Sequence, residues 1–474
     1  MPGTTSHTLS PVTNGNSVAP QSAVTHLSAL SDDIQTKTAL LTNSLNEKHL
    51  DAPSFKLGGS TSFALDELDL QDKATRNELI ALTKELHDLL VGPKDALKNL
   101  AWNSVSYIPL EAICEFRIAE AVPPSGCISY VDLAVKIQQL TDIKVTVSDL
   151  KCILRLAMAN DLFSEPIPDH VAHSRTSLLL LEDPSVASWV AMFTTDLLRP
   201  IVNTVEAMKK WPGSQEPNET GVNIAYRNDI PFFEFMQSDH ARMKRYGLAM
   251  KAQGDRDGYD LSHTTNGYPW SELGAARVVD IGGSQGHVAF ALAEAFPQLS
   301  FIVQDKAETR TEQTIGQVPQ HLAARVELMA HDCFNPQPVE ADVYFFRHVF
   351  HAFSDKYAVT ALKALVPVMK PGARVVINDY VLPPPGTLSK SDEKSVRTMD
   401  LLMRAVCNAR EREAGDWASL FAQADLRFRW KGATKTAGKL SFIEAVWDDK
   451  EVEEHTGEPD ARHRGPSNGS SNGS

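Results

Sequence analysis

Along this chain the spacing of apolar positions changes once, and the change divides it into two kinds of structure. From Ala29 to about Lys210 large apolar side chains recur at steps of three and four, as in LIALTKELHDLL (79–90) and LEAICEFRIAEAV (110–122). That is the period of a helix with one buried face. ISYVDLAVKIQQL and VTVSDLKCILRLAMANDLF predict two further helices, each opening at a Ser or Asp cap. HVAHSRTSLLLL then reads as a short strand pair. Two helices followed by such a pair make a winged-helix arrangement. From about Arg277 the rhythm becomes short, nearly continuous apolar runs: RVVDIGG, SFIVQD, RVELMAHD, ADVYFFRH and ARVVINDYVL. Helical stretches such as HVAFALAEAF and KYAVTALKALVPVMK separate them. Strands without polar alternation are buried on both faces, so the expected class is α/β, a doubly wound parallel sheet of Rossmann-like type. RFRWKGAT and LSFIEAVWD complete it as an edge pair.

A chain of 474 residues is too long for one ordinary core. The expected divisions are a disordered leader at 1–25, a helical, winged-helix region at 26–215, a sheet region at 216–450 and a disordered tail at 451–474. The leader is rich in Ser, Thr, Asn and Pro and has too few apolar groups to offset the entropy of ordering. The tail is charged, then rich in Gly and Ser. With 42% hydrophobic and 22% charged residues the chain can bury a sizeable core, and no run reaches the ~18 apolar residues that cross a bilayer. The N-terminus has neither a basic start nor an apolar core of a signal peptide, so a cytoplasmic protein with no membrane partner is expected. Five cysteines without a CxxC pair fit reduced thiols rather than disulfides or zinc. A formal charge of −14 repels phosphate backbones and argues against a nucleic-acid partner. The second helix of the winged arrangement agrees, since it carries Asp149, Lys151 and Arg155 among apolar groups rather than a basic row. Dimerisation or a substrate lid suits it better, and the substrate class left is a small, fairly apolar molecule.

Candidate chemistry gathers at the ends of the predicted strands. VVDIGGSQGHVAFALAEAF passes from strand to helix through Gly282, Gly283 and Gly286, a turn that lets a ligand approach bare backbone and the free N–H groups of a helix start. Ser284 interrupts the strict GxGxxG spacing, and taken alone the turn reads equally well as purely structural. Asp305, closing the second strand, stands where a carboxylate accepts bonds from both ribose hydroxyls. Asp280 and Asp332 end the first and third strands. Three negative charges at one edge disfavour a pyrophosphate and favour a nucleoside carrying a cation, such as the sulfonium of S-adenosylmethionine rather than NAD. Asp332 reads as readily as the cap of a turn.

FFRHVFHAFSDKY (345–357) delivers Arg347 at the end of the fourth strand and His348 and His351 just past it. A histidine there can take the proton of a substrate hydroxyl, which matters because a phenol of pKa ~10 is a poor nucleophile while protonated at neutral pH. Singly, either histidine reads as an ordinary core or capping residue.

Taken in order, GGSQGH, FIVQD, HDCF, RHVFHAFSD, KPGARVVINDYVLP and NAREREAGDW resemble the caffeic-acid-type class I O-methyltransferases, and most of all their fungal branch acting on polyketide and mycotoxin phenols. The resemblance runs from about Asp229 to Asp448, and the helical first half is similar to that family's winged-helix dimerisation domain, so a homodimer is implied. It implies S-adenosyl-L-methionine as cofactor, bound by Gly282, Gly283 and Gly286, with Asp280 beside them, Asp305 on the ribose, Asp332 and neighbouring Cys333 near the adenine, and Arg347 as a basic contact. The family's base falls on His351, which leaves His348 structural. Asp379, one methylene shorter than the family's Glu, and Glu411 are implied as the supports of the base, and Met403 as a packing surface for an aromatic substrate. No metal is implied. Ala352 stands where an acid usually follows the base, and with Asp379 it implies a base held less firmly. Some fungal relatives keep the cofactor site but carry out dehydrations or pericyclic reactions, which is the alternative activity.

Overall fold

The computed structural model describes residues 23–254, 258–307 and 318–450. The expected leader and tail lie outside the described residues, apart from 23–25, which open the helix Ala23–Glu47. By contact density the chain forms two compact units. Among the described residues one comprises 23–199, 236–253 and 385–396, and the other 200–235, 254, 258–307, 318–384 and 397–450. Among the described residues no helix is long and apolar enough to cross a membrane.

The first unit is helical around a small sheet. Its core joins Ile113, Ile118, Val122, Leu133, Ile137, Leu150, Leu154 and Val171. Helix Tyr130–Thr141 starts where the Ser129 hydroxyl accepts the N–H of Asp132, and Val147–Met158 where Thr146, not a Ser or Asp, does the same for Asp149. Strands β1 (Ile128–Ser129), β2 (Ser164–Ile167) and β3 (His170–Ala172) form an antiparallel sheet in the order β1-β3-β2. Two expectations fail locally. HVAHSRTSLLLL is not a strand pair: only its first residues form β3, paired with β2, and the leucines belong to helix Arg175–Glu182. The cause is a reciprocal cap, in which the side chains of Ser174 and Ser177 satisfy each other's backbone N–H groups and nucleate a helix. LEAICEFRIAEAV is likewise two helices, Tyr107–Glu115 and Ile118–Ala121, broken where Arg117 takes φ 49°. Ile118, Ala119, Ala121 and Val122 are all buried, and they reach the core from a short helix of their own.

The second unit carries a seven-stranded sheet: β4 (Arg277–Ile281), β5 (Ser300–Asp305), β6 (Val326–Ala330), β7 (Val343–Arg347), β8 (Arg374–Asp379), β9 (Phe428–Lys435) and β10 (Ser441–Trp447). Its order is β6-β5-β4-β7-β8-β10-β9, parallel through β8, with β10 antiparallel to both β8 and β9. The apolar runs are explained by two cores, one per face. Val279, Tyr344, Phe346, Val375 and Ile377 pack under helices Asp355–Leu365 and Ala414–Ala424. Val278, Phe301, Val303, Val343, Phe345 and Val376 pack with helix His287–Ala295 and Trp270. Successive apolar residues of the central strands β5, β4, β7 and β8 enter the two opposite cores, so each such position is worth ~1.5–3 kcal/mol of burial for a large side chain. This fixes the register of the parallel strands and aligns their carboxyl ends along one edge.

Candidate functional site

The turn after β4 is built by glycine backbone. Gly282 and Gly286 take φ 76° and 88°, a region costly for other residues. A Cβ on Gly282 would sit 2.7 Å from the Val349 side chain, and one on Gly283 would run into Asp280 Oδ2. The N–H groups of Gly282 and Gly283 donate to the carbonyl of Gln304 at 2.8 and 3.2 Å, which ties the turn to β5. Asp305, at the end of β5, accepts the N–H of Ser284 at 2.9 Å and of Lys306 at 2.8 Å. Asp280 is buried one residue short of the end of β4. Asp332 stands two residues beyond β6, and it does cap a turn: Oδ1 accepts the N–H of Phe334 at 3.0 Å, while Oδ2 lies 3.5 Å from Lys306 Nζ. Cys333 packs against the apolar layer, and burial pushes its thiol up to about 12, so it stays neutral. Arg347, at the end of β7, donates to Thr264 Oγ1 and the Tyr259 carbonyl, both at 3.3 Å.

These residues fit S-adenosyl-L-methionine. The turn presents backbone where a Cβ would collide, and three carboxylates are set against Arg347 and Lys306, an acidic balance suited to a cationic nucleoside.

The turn after β7 is built by side chains from elsewhere. His348 takes φ 54° and turns the chain into the short helix Phe350–Ala352, which carries His351. Nδ1 of His351 lies 3.2 Å from Glu411 Oε1, with the two side chains 14% and 1% exposed. Burial pulls this imidazole toward neutrality, but the hydrogen bond and charge of Glu411, with the charge of Asp379, outweigh it and raise its pKa to about 8. His348, 5.3 Å away ring to ring, goes the other way: burial, then the charges of His351 and Arg347, hold it well below the ordinary value. Its ring stacks on Tyr259, and its Nδ1 lies 3.8 Å from Asp379 Oδ1.

Asp379, at the end of β8, meets the turn that carries the base through its backbone. Its Oδ2 accepts the backbone N–H groups of Phe350 and His351 at 3.1 and 3.3 Å, so it grips the turn rather than the imidazole. Burial, reinforced by the charge of Glu411 and opposed by His351, raises its pKa to about 6. Among the described residues its Oδ1 has no hydrogen-bond partner. His348, His351 and Asp379 bring potential metal-ligand atoms within 4.8 Å of one another. Asp379 is already engaged by two N–H groups, and His351 by Glu411.

The geometry thus joins His351, Glu411 and Asp379 in one cluster, and the Gly282 turn touches it through Val349. Met403 is half-buried on helix Lys390–Cys407, where its carbonyl accepts the N–H of Ala409 at 3.3 Å. One participant is absent from the sequence reading. Arg412, next to Glu411, is fully buried and donates to the carbonyls of Phe350 (2.8 Å) and Phe353 (2.7 Å) and to Asp355 (3.0 Å). The only local signal for it is its place inside NAREREAGDW.

A family model described as an O-methyltransferase domain matches residues 224–427. The O-methyltransferase pyvH of Aspergillus violaceofuscus is 37% identical over 430 residues, covering 88% of this chain and 98% of its own. The chlorophenol O-methyltransferase of Trichoderma longibrachiatum is 34% identical over 448 residues, covering 92% and 93%. Among solved structures, OxaC in complex with sinefungin and meleagrin superposes with a TM-score of 0.66 at 22% identity, over 88% of this chain and 99% of that one.

Proposed function

The chain belongs to the O-methyltransferase family, and from that premise we propose that it methylates a phenolic or enolic hydroxyl of a small, polyketide-like secondary metabolite, using S-adenosyl-L-methionine and His351 as general base. When bound, the cofactor supplies an electrophilic methyl group on a sulfonium. Gly282, Gly283 and Gly286 hold it by backbone, Asp305 receives its ribose hydroxyls, and Asp280, Asp332 and Arg347 line the same edge. Met403 offers a soft, polarisable surface to the aromatic acceptor.

His351 takes the acceptor's proton. With Nδ1 committed to Glu411, its Nε2 is the atom left to accept. Glu411 steadies the imidazolium that forms. A base whose pKa is about 8 leaves transfer from a phenol about 2 units uphill, against about 3.5 for an unperturbed imidazole. The observation that carries this reading is the buried His351–Glu411 pair at 3.2 Å, beside a turn made for close backbone approach. One relative is named for a chlorophenol acceptor, which supports a phenol here.

The helical unit, with its two capped helices and three-stranded sheet, we read as a winged-helix dimerisation domain of a cytoplasmic homodimer. Light scattering at micromolar protein should then give twice 52.1 kDa. The activity is tested by incubating the protein with methyl-labelled cofactor and a panel of phenols. Label in the product is expected. Conversion of an acceptor without label would contradict the transferase and select the dehydratase or pericyclase alternative.

A further inference from the structure

Resting on the assignment of His351 as base, we propose that Arg412 is a positioning residue whose guanidinium, with the buried carboxylate of Asp379, sets the angle at which the His351 ring is presented. The turn carrying His351 has its backbone groups taken up on two sides. Its N–H groups, those of Phe350 and His351, both point to Asp379 Oδ2. Its carbonyls at Phe350 and Phe353 are held by the two Nη groups of Arg412 at 2.8 and 2.7 Å. The Arg412 guanidinium also stacks over the Trp417 ring at 5.3 Å and pairs through Nε with Asp355 at 3.0 Å.

The backbone of Arg412 is fixed as well. Its carbonyl accepts the N–H of Leu382 at 2.8 Å, and it forms a parallel bridge with Val381 just past β8. Neighbouring side chains on extended backbone point to opposite sides, so adjacent residues do separate jobs: Glu411 reaches the ring and Arg412 the turn. The stretch holding Asp379, Val381 and Leu382 and the pair Glu411–Arg412 therefore determine both where the turn sits and which way its imidazole faces. A planar fork with fixed donors can bridge two carbonyls and a carboxylate at once, whereas a lysine ammonium on a flexible stem cannot. Asp379 thus supports the base through the N–H groups of its turn, and this guanidinium supports it through the carbonyls.

The test is a double-mutant cycle in the full chain, with Arg412→Lys and His351→Ala alone and combined, reading kcat, the cofactor KM and folding by circular dichroism. Arg412→Lys alone should lower kcat by about 10- to 100-fold, the scale of a misplacement of about 1 Å, and leave the cofactor KM near the wild-type value. In the His351→Ala background the same change should cost little more, because there is no ring left to aim. An undiminished kcat in folded Arg412→Lys, or an equal loss with and without His351, would overturn the proposal. If Arg412→Lys does not fold, Asp355→Asn replaces it, since Asp355 is one-third exposed and anchors the guanidinium from outside the turn. It should lower kcat without raising the cofactor KM, and a change in KM alone would overturn the proposal equally. Unaltered turnover in His351→Ala itself would sink the base assignment, whatever Arg412→Lys did.

Discussion

Two crossings from strand to helix lie at the same edge of one sheet, and they are built by opposite means. The turn after β4 is made of its own backbone, and the side chain that ties it, Asp305, stands 21 positions from Ser284 at the end of the adjoining strand. The turn after β7 takes its support from far along the chain: Asp379 lies 28 positions from His351, Glu411 60, and Arg412 62 from Phe350. The first excludes side chains; the second depends on them. Its closeness to bare backbone suits the first to binding, while the second needs a tuned imidazole, and only side chains of chosen charge shift a pKa. Lesions in the two turns should therefore separate cofactor affinity from chemistry.

The largest expected effect is at the second turn. His351→Ala should lower the rate of methyl transfer by ~10²- to 10⁴-fold, while cofactor binding by calorimetry stays at the wild-type value. Loss of binding along with rate would erase the contrast between the turns. Gly283→Ala should do the converse: its Cβ runs into Asp280, so cofactor affinity falls by ~10-fold or more, with kcat at saturating cofactor far less affected. Replacing Glu411 by Gln removes the group that chiefly raises the His351 pKa, so the inflection in kcat/KM should move from about 8 to a lower pH. A profile that stays put would place the inflection on another group. The smallest effect belongs to Asp305→Asn, where weakened charge-assisted hydrogen bonds should raise the cofactor dissociation constant by about 10-fold, the equivalent of ~1.4 kcal/mol, without moving the pH profile.

The sheet was legible because its strands are buried on both faces, which leaves uninterrupted apolar runs such as VYFFR and RVVIND. The glycine turn was legible for a local reason, since a residue that must lack a side chain shows itself as glycine. His351 could be singled out from His348 only through resemblance, because the side chain that distinguishes them, Glu411, is 60 residues away and no periodicity points to it. The grip of Asp379 on backbone N–H groups and the buried role of Arg412 were hidden for the same reason: a charged residue in a polar stretch reads as solvated until the fold closes over it. In the helical unit the misread segments were those where a local device overrode the pattern, a left-handed Arg117 in one and a reciprocal serine cap in the other.

The pH dependence of methyl transfer in wild type and His351→Ala, with label counted in the product, bears most directly on the base. A general base acts only when unprotonated, so wild-type kcat/KM for the cofactor should climb about tenfold per unit as pH rises toward about 8 and level off above it. In His351→Ala the residual rate should show no inflection near 8. The same inflection surviving in that variant, at an undiminished rate, would show that some other group takes the acceptor's proton.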